Sequence, residues 1–227
     1  MINKFAILIS LVIVGITPKA TAQTVNIDVP SNYINSSVLG RDELPANVQG
    51  SPYLNEQFLP ATIVLKGKEL KKPLRLNVYK GVFEFKDRNG NIMNLNADPD
   101  IQVKMKSSLF QVKNLPFNDT EKKCFVETLV DGKFSFYKLY GASFSKGVVA
   151  EDTYSVSTPP RFKTFIEYFI VQDANFKSAS NVRLKKKDIL RYVDDPALKK
   201  YAKENNIRFK SEEEVVEALN YLNDTMF

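Results

Sequence analysis

Several stretches of this chain alternate apolar and polar residues with a period of two, and the links between them are short. In "PLRLNVYK" Leu74, Leu76 and Val78 fall on one face and Arg75, Asn77 and Tyr79 on the other. "VFEFKD" sets Phe83 and Phe85 against Glu84 and Lys86, and "DIQVKMK" sets Ile101, Val103 and Met105 against Gln102, Lys104 and Lys106. A period of two is the mark of a half-buried strand. Lys66-Gly67, Lys80-Gly81, Asn89-Gly90 and Asp131-Gly132 separate apolar runs, and the last two are tight-turn dipeptides. Links this short join antiparallel neighbours, because a parallel return takes a dozen or more residues. From residue 51 to about residue 182 the expectation is a meander of hairpins.

Two of the strands are apolar on both faces. "KFSFYKLYG" carries Phe134, Phe136 and Tyr140 with Tyr137 and Leu139, and "TFIEYFIVQD" carries Phe165 and Phe169 with Ile166, Tyr168 and Ile170. Such strands are covered on both faces. The cover is expected from the C-terminal helices, the N-terminal leader, a partner or a ligand. Phe136, Tyr140, Phe165 and Phe169 are the candidate ligand-binding residues. Residues 142–163, ending near Pro159-Pro160, read as a long loop.

After residue 182 the period changes. Ile189, Leu190 and Val193 form one stripe, and Leu198, Tyr201 and Ala202 follow at helical spacing behind an Asp195 cap and Pro196. Ser211-Glu212-Glu213-Glu214 reads as a capping box, with Val215, Val216, Leu219 and Leu222 as the buried stripe. The three glutamates favour the positive end of that helix. Lys185, Lys186 and Lys187 are placed in the strand-to-helix link. Residues 181–227 hold ten basic and nine acidic side chains, so this lysine run is balanced locally and solvated.

Near its start the chain carries Lys4, a twelve-residue uncharged run from Phe5 to Ile16, and Ala20-Thr21-Ala22. Basic residue, short apolar run and small-residue site form a secretory signal, expected to be cut after Ala22. Twelve residues are too few to span a ~30 Å hydrocarbon core as a helix, and no later run reaches the ~20 apolar residues a span needs. Loss of Lys4 and Lys19 leaves 30 basic against 26 acidic residues, a net charge of +4. Nucleic acid is not the expected partner of an exported chain, and net charge speaks to non-specific association rather than to fold. The destination is the periplasm or the extracellular space.

The expected organisation is a signal peptide over 1–22, an extended leader over 23–50, an antiparallel β domain over 51–182 and a helical appendage packed on it over 183–227. The fold class is α+β: an antiparallel β meander, as a curved sheet or partly open barrel, followed by a small C-terminal helical segment.

Composition narrows the chemistry. The chain has no histidine and one cysteine, Cys124. A Ser-His-Asp or Cys-His triad cannot be built, nor can the common zinc sites, nor an intramolecular disulfide. Cys124, in "KKCFVETLV", reads as a small buried apolar residue of a strand. Only carboxylate, lysine or tyrosine catalysis remains. No catalytic residue, metal site or cofactor is expected.

Four short patterns match motifs that carry chemistry elsewhere. Asn94, Asn96, Asp98 and Asp100 alternate as calcium ligands do, but the loop lacks the glycine and has Met105 where a closing Glu would stand, so it reads as a polar turn. Ser135 and Lys138 have S-x-x-K spacing, yet on a strand positions three apart face opposite ways. Glu84, Glu127 and Glu167 are the strand carboxylates open to a glycosidase role, if two of them meet. Asn35-Ser36-Ser37, Asn118-Asp119-Thr120 and Asn223-Asp224-Thr225 are N-x-S/T sequons, which matter in a eukaryotic secretory path.

"GSPYLNEQFLPATIV" followed by "PLRLNVYKGVFEF", with the "KKKD-L" tail, resembles a group of uncharacterised exported proteins of Bacteroidota. The likeness spans about residues 50–223. It implies an exported location and this β-plus-tail fold, and it carries no catalytic motif or ligand. It also implies that Asp224-Thr225-Met226 corresponds to the short O-glycosylation site of that phylum. The function expected is a non-enzymatic envelope protein that binds an apolar ligand or an envelope protein partner. The alternative is a carboxylate-dependent glycan hydrolase.

Overall fold

The computed structural model describes residues 29–36, 47–117, 120–148, 156–175 and 179–225. The signal peptide and most of the leader lie outside the described residues. Eleven strands and three helices follow in chain order: β1 Ile34–Ser36, β2 Leu59–Leu65, β3 Lys68–Asn77, β4 Val82–Lys86, β5 Ile92–Leu95, β6 Ile101–Met105, β7 Ser108–Phe117, β8 Thr120–Val130, β9 Phe134–Ser145, β10 Arg161–Gln172, β11 Ser180–Val182, α1 Lys186–Tyr192, α2 Pro196–Glu204 and α3 Glu212–Asp224. Among the described residues no helix is long and apolar enough to cross a membrane.

Every strand pairing is antiparallel, and the sheet order is β1-β5-β4-β3-β2-β6-β7-β8-β9-β10-β11. The α+β reading holds. The glycine-bearing links are hairpin turns as expected. Leu65 pairs with Lys68 around Lys66 and Gly67, both at positive φ, which suits a two-residue hairpin loop. Met105 pairs with Ser108 around a second two-residue turn that lacks glycine; Lys106 itself adopts positive φ.

The hairpin series breaks once. β6 pairs with β2 and not with its predecessor β5. On a flat sheet β5 and β6 would stand four strand spacings, ~19 Å, apart. Residues 96–100 could span that only if fully extended, yet they turn, with the Ile101 amide donating to the Asp98 carbonyl. The sheet therefore curls. Phe83 of β4 confirms it, lying with ring centroids 5.2 Å from Phe110 of β7 and 5.1 Å from Phe125 of β8. The bend is built into β3, whose Lys68–Leu74 half pairs with β2 and whose Arg75–Asn77 half pairs with β4. A strand that changes partners is a usual way to turn a sheet corner.

The inner face of the curled sheet buries Ile63, Leu74, Leu76, Phe83, Leu95, Ile101, Val103 and Phe110. At the other end, α3 packs on β8 and β9 and seals a second core. Val130, Phe134, Phe136 and Ile170 meet Ile189, Leu198, Ala202, Phe209 and Leu219 there. A third cluster, with Val126, Tyr137, Phe169 and Val171, is buried on the outer face of β7–β10, and Ala179 packs against it.

The tail is capped as expected. Asp195 accepts from the Ala197 amide with Pro196 opening α2, and Ser211 accepts from the Glu214 amide at α3. Glu214 reaches back past the cap to the Lys210 amide. Two boundaries differ from expectation. The loop expected over 142–163 is narrower, because β9 runs to Ser145 and β10 starts at Arg161, paired through Phe162 and Phe144. Of the three lysines placed in the link, Lys186 and Lys187 already belong to α1, with Lys185 as its N-cap.

Candidate functional site

Register decides where the four candidate ligand residues point. Along β9 and β10 the pairs Phe136–Ile170, Lys138–Tyr168, Tyr140–Ile166, Ala142–Thr164 and Phe144–Phe162 face inward. The pairs Tyr137–Phe169, Leu139–Glu167 and Gly141–Phe165 face outward. Phe136 and Tyr140 are thus on the inner face, and Phe165 and Phe169 on the outer. Phe136 is fully buried under the helical tail and stacks on Tyr168 with centroids 5.4 Å apart. Phe169 is buried in the outer cluster, and Tyr140 packs against the main core. Phe165 alone is open, 44% exposed, with its ring laid over Gly141. The structure does not bring the four together around one cavity.

Phe165 instead marks an uncovered strand edge. β11 pairs only with Tyr168–Ile170 of β10, and Gln49 bridges only the start of β10 at Arg161. Between these, residues 163–167 have no neighbour on the side away from β9 among the described residues. The Phe162 amide donates outward to the Gln49 carbonyl. Residues of the same parity, Thr164 and Ile166, therefore aim their N–H and C=O groups at the gap. Ile166 is 48% exposed beside Phe165. Five residues make a slot of ~17 Å, long enough for a short strand.

A second bare edge shows what protection looks like. The Lys68–Leu74 half of β3 also lacks a described neighbour opposite β2, and it reads "KELKKPL". Lysines and a proline are how sheets discourage pairing with another chain. The β10 slot, "KTFIE", keeps one charge at each end, Lys163 and Glu167, and sets two large apolar side chains between them.

Inward of this edge lies a polar cluster that the sequence reading missed. The Tyr140 hydroxyl donates to Glu127 at 2.6 Å, and Glu127 also accepts from Ser108. Lys138 pairs with Glu212 of α3 at 2.8 Å, and the Tyr168 hydroxyl donates to the same carboxylate at 3.0 Å. The Lys138 ammonium stands 5.2 Å from the Tyr140 ring centroid. Burial, and then the Glu127 hydrogen bond, push the Tyr140 phenol well above its ordinary range. Burial and the Glu212 bond push Tyr168 up to about 12. For Lys138 burial acts downward, but the Glu212 hydrogen bond and charge outweigh it and hold the ammonium charged. The cluster is two sets of filled hydrogen bonds, one joining β8 to β7 and β9 at Glu127 and one joining α3 to β9 and β10 at Glu212, which meet where Lys138 stands over the Tyr140 ring. Each member was visible in sequence, but only register and helix docking bring them within reach.

The strand glutamates go to different surfaces. Glu84 is 1% exposed on the outer face of β4, held by Arg75 at 2.7 Å and by the Asn77 amide at 2.9 Å. The "GSPYLNEQF" segment lies over it: the Arg75 guanidinium donates to the Tyr53 hydroxyl at 2.8 Å and stacks 3.8 Å from that ring's centroid. Gly50 opens the segment at φ +73, where a Cβ would lie 2.5 Å from the Phe162 carbonyl oxygen. Glu127 faces inward; Glu84 and Glu167 face outward from β4 and β10, and Glu84 is closed off by Arg75 and Asn77, so the three offer no carboxylate pair.

The remaining patterns resolve into local structure. Asp100 accepts from Tyr33 and pairs with Lys66, Asp98 accepts from the Asp100 amide, Asn96 donates to the Asn32 carbonyl, and the Asn94 Oδ1 is buried with no partner among the described residues. These four side chains do not converge, and among the described residues no group of His, Cys, Asp and Glu could hold a metal ion. Ser135 donates to the Gly132 carbonyl, on the opposite face from Lys138. Cys124 is buried as expected, and burial pushes its thiol up, away from the reactive thiolate. The Asn223 side chain is buried and doubly bonded to Phe134, which removes that sequon from solvent. Residues 37, 118, 119 and 226, which complete the other two sequons and the O-glycosylation pattern, lie outside the described residues. Comparisons with protein-family models, curated proteins and solved structures return no match for this chain.

Proposed function

We propose that this is a non-enzymatic exported protein of the cell envelope that binds a protein partner by accepting one extended segment of it as an extra strand beside β10. The single observation that carries the reading is the unpaired stretch 163–167 with Phe165 and Ile166 open beside it. In strand addition, main-chain hydrogen bonds supply affinity and alternate side chains supply specificity. Thr164 and Ile166 offer the main-chain groups. Phe165 and Ile166, on opposite faces of the slot, offer contacts to both faces of an incoming strand. The exported location rests on Lys4, the apolar run to Ile16 and Ala20-Thr21-Ala22, together with the resemblance to exported Bacteroidota proteins. The apolar-ligand form of the reading draws less support, since Phe136 and Phe169 are consumed by separate cores. The glycan-hydrolase alternative draws none from Glu84, Glu127 and Glu167, which diverge.

A photo-crosslinking amino acid at position 166, introduced in the natural host, tests this. The expected product is one crosslinked polypeptide whose attachment site maps to an extended segment. Thr164→Pro, which removes an outward N–H, should abolish it while leaving the circular dichroism spectrum unchanged. A crosslink that persists in the proline variant, or no crosslink at all, would overturn strand addition.

A further inference from the structure

A second surface points to a different kind of ligand. Register across β3, β2 and β6 sets Lys71, Thr62 and Lys104 in one row of the outer face. Pro73 and Pro60 pair directly in the next row, with Lys106 just past the end of β6. A groove of about 400 Å³ opens along these residues; its lining holds Lys71, Lys104 and Lys106 of the outer face, with Lys72 turned to the Phe85 ring 5.5 Å away, and no acidic side chain. The prolines help make the groove. Pro60 lies beyond the last β2–β6 pair and Pro73 precedes the β3–β4 pairs, so each leaves its missing N–H where no second strand needs it.

Lys71 and Lys104 flank Thr62 at two strand spacings, ~10 Å, which is about one Debye length at 0.1 M salt, so their repulsion is not fully screened. Edge protection accounts for Lys71, whose half of β3 is bare on its far side. It does not account for Lys104, since β6 is paired on both sides with β2 and β7. Glu69 answers one charge, with its carboxylate 3.1 Å from Lys104, but it stands outside the groove lining and is more than half exposed. The cations are all lysine. They act as point charges rather than as planar forks that grip one carboxylate or phosphate bidentately. Between them lie a hydroxyl and two apolar proline rings.

We infer that this groove binds an acidic saccharide chain, with sugar C–H faces on Pro60 and Pro73, a ring hydroxyl on Thr62, and acid groups between Lys71, Lys104 and Lys106. The acid group is the carboxylate of a uronic sugar or the phosphate of a phosphorylated one. Calorimetric titration of the full exported chain with oligogalacturonate and with phosphorylated mannan separates these sources. Binding of either supports the inference and names the acid. The Lys71→Gln/Lys104→Gln variant should weaken it about tenfold, with a shallower salt dependence. Lys186→Gln/Lys187→Gln, on α1 and outside the groove lining, should leave it unchanged. Both variants replace exposed side chains, and an unchanged melting temperature verifies their fold. Inorganic polyphosphate binding as tightly as the saccharides would overturn the assignment to a sugar. Failure of both saccharides, or binding indifferent to the Lys71/Lys104 change, would overturn the site. None of these outcomes depends on strand addition at β10.

Discussion

Asn223 shows how one side chain can hold two elements. Its Oδ1 accepts from the Phe134 amide at 2.9 Å and its Nδ2 donates to the Phe134 carbonyl at 3.0 Å. The amide of α3 thus serves the first residue of β9 as a neighbouring strand would. Gly132 is bare for the same reason, since a Cβ there would lie 2.6 Å from the Asn223 Nδ2. Asn223→Ala leaves a buried N–H and a buried C=O without partners. The expected cost is about 2–4 kcal/mol, read from a urea midpoint with unchanged slope. Asn223→Asp supplies an acceptor but no donor, so it should lose less than the alanine variant only where the carboxyl is protonated. The polar cluster makes its own prediction at this scale. The Tyr168 phenol is raised, so its contribution to stability is complete below the ordinary tyrosine pKa of ~10 and is lost as pH rises through about 12. In a tyrosinate absorbance titration, Tyr168→Phe should remove amplitude from the step near pH 12 and none from the step near pH 10. Amplitude lost from the lower step would show that the hydroxyl is not held by Glu212.

Among the elements, β9 and β10 form the longest paired hairpin, and the open edge of its second strand carries the proposed contact. Phe165 keeps its place there because Gly141, directly opposite, has no side chain. A Cβ on Gly141 would meet the tip of the Phe165 ring at 2.4 Å. The ring is free to swing because it is half exposed, and alanine suits a strand better than glycine, so Gly141→Ala should change stability by less than about 1 kcal/mol. It should nonetheless weaken crosslinking at the β10 slot, because the ring, displaced from its seat over β9, swings toward the open edge and crowds an incoming strand. Period and turn chemistry were enough to place β4, β6 and the second half of β3, with the hairpin turns at Gly67, Gly81, Gly90 and Gly132, since each depends on residues close in sequence. The caps of α2 and α3 were legible for the same reason. Faces were a different matter. Reading "KFSFYKLYG" and "TFIEYFIVQD" as two-sided was right, but choosing Phe136 and Tyr140 together with Phe165 and Phe169 required the register between the strands. That register is set by the hairpin as a whole, and it put the two pairs on opposite sides.

At the scale of the whole molecule the least legible feature is the jump from β5 to β6, because nothing in "NADPD" distinguishes a hairpin turn from a link across a curled sheet. What closes the curl is apolar contact between residues far apart in sequence, with Phe83 edge-on to both Phe110 and Phe125. Phe83→Ala should cost about 3–5 kcal/mol, through lost burial and the cavity left in a packed core. Its consequences should reach the tail. The first core touches Tyr140, Tyr140 is bonded to Glu127, and its neighbour Lys138 is bonded to Glu212 at the start of α3. The helices also close their own core on β8, β9 and β10 rather than among themselves alone. Sheet and tail should therefore unfold in one transition, with near-ultraviolet aromatic signal and 222 nm helix signal sharing a midpoint. Phe83→Ala should lower both midpoints equally although no helix touches the site. A helix signal that stays at its original midpoint while the aromatic signal shifts would mean that the boundary near residue 183 separates two independently stable units. The polar cluster would then be a contact between them rather than part of a common core.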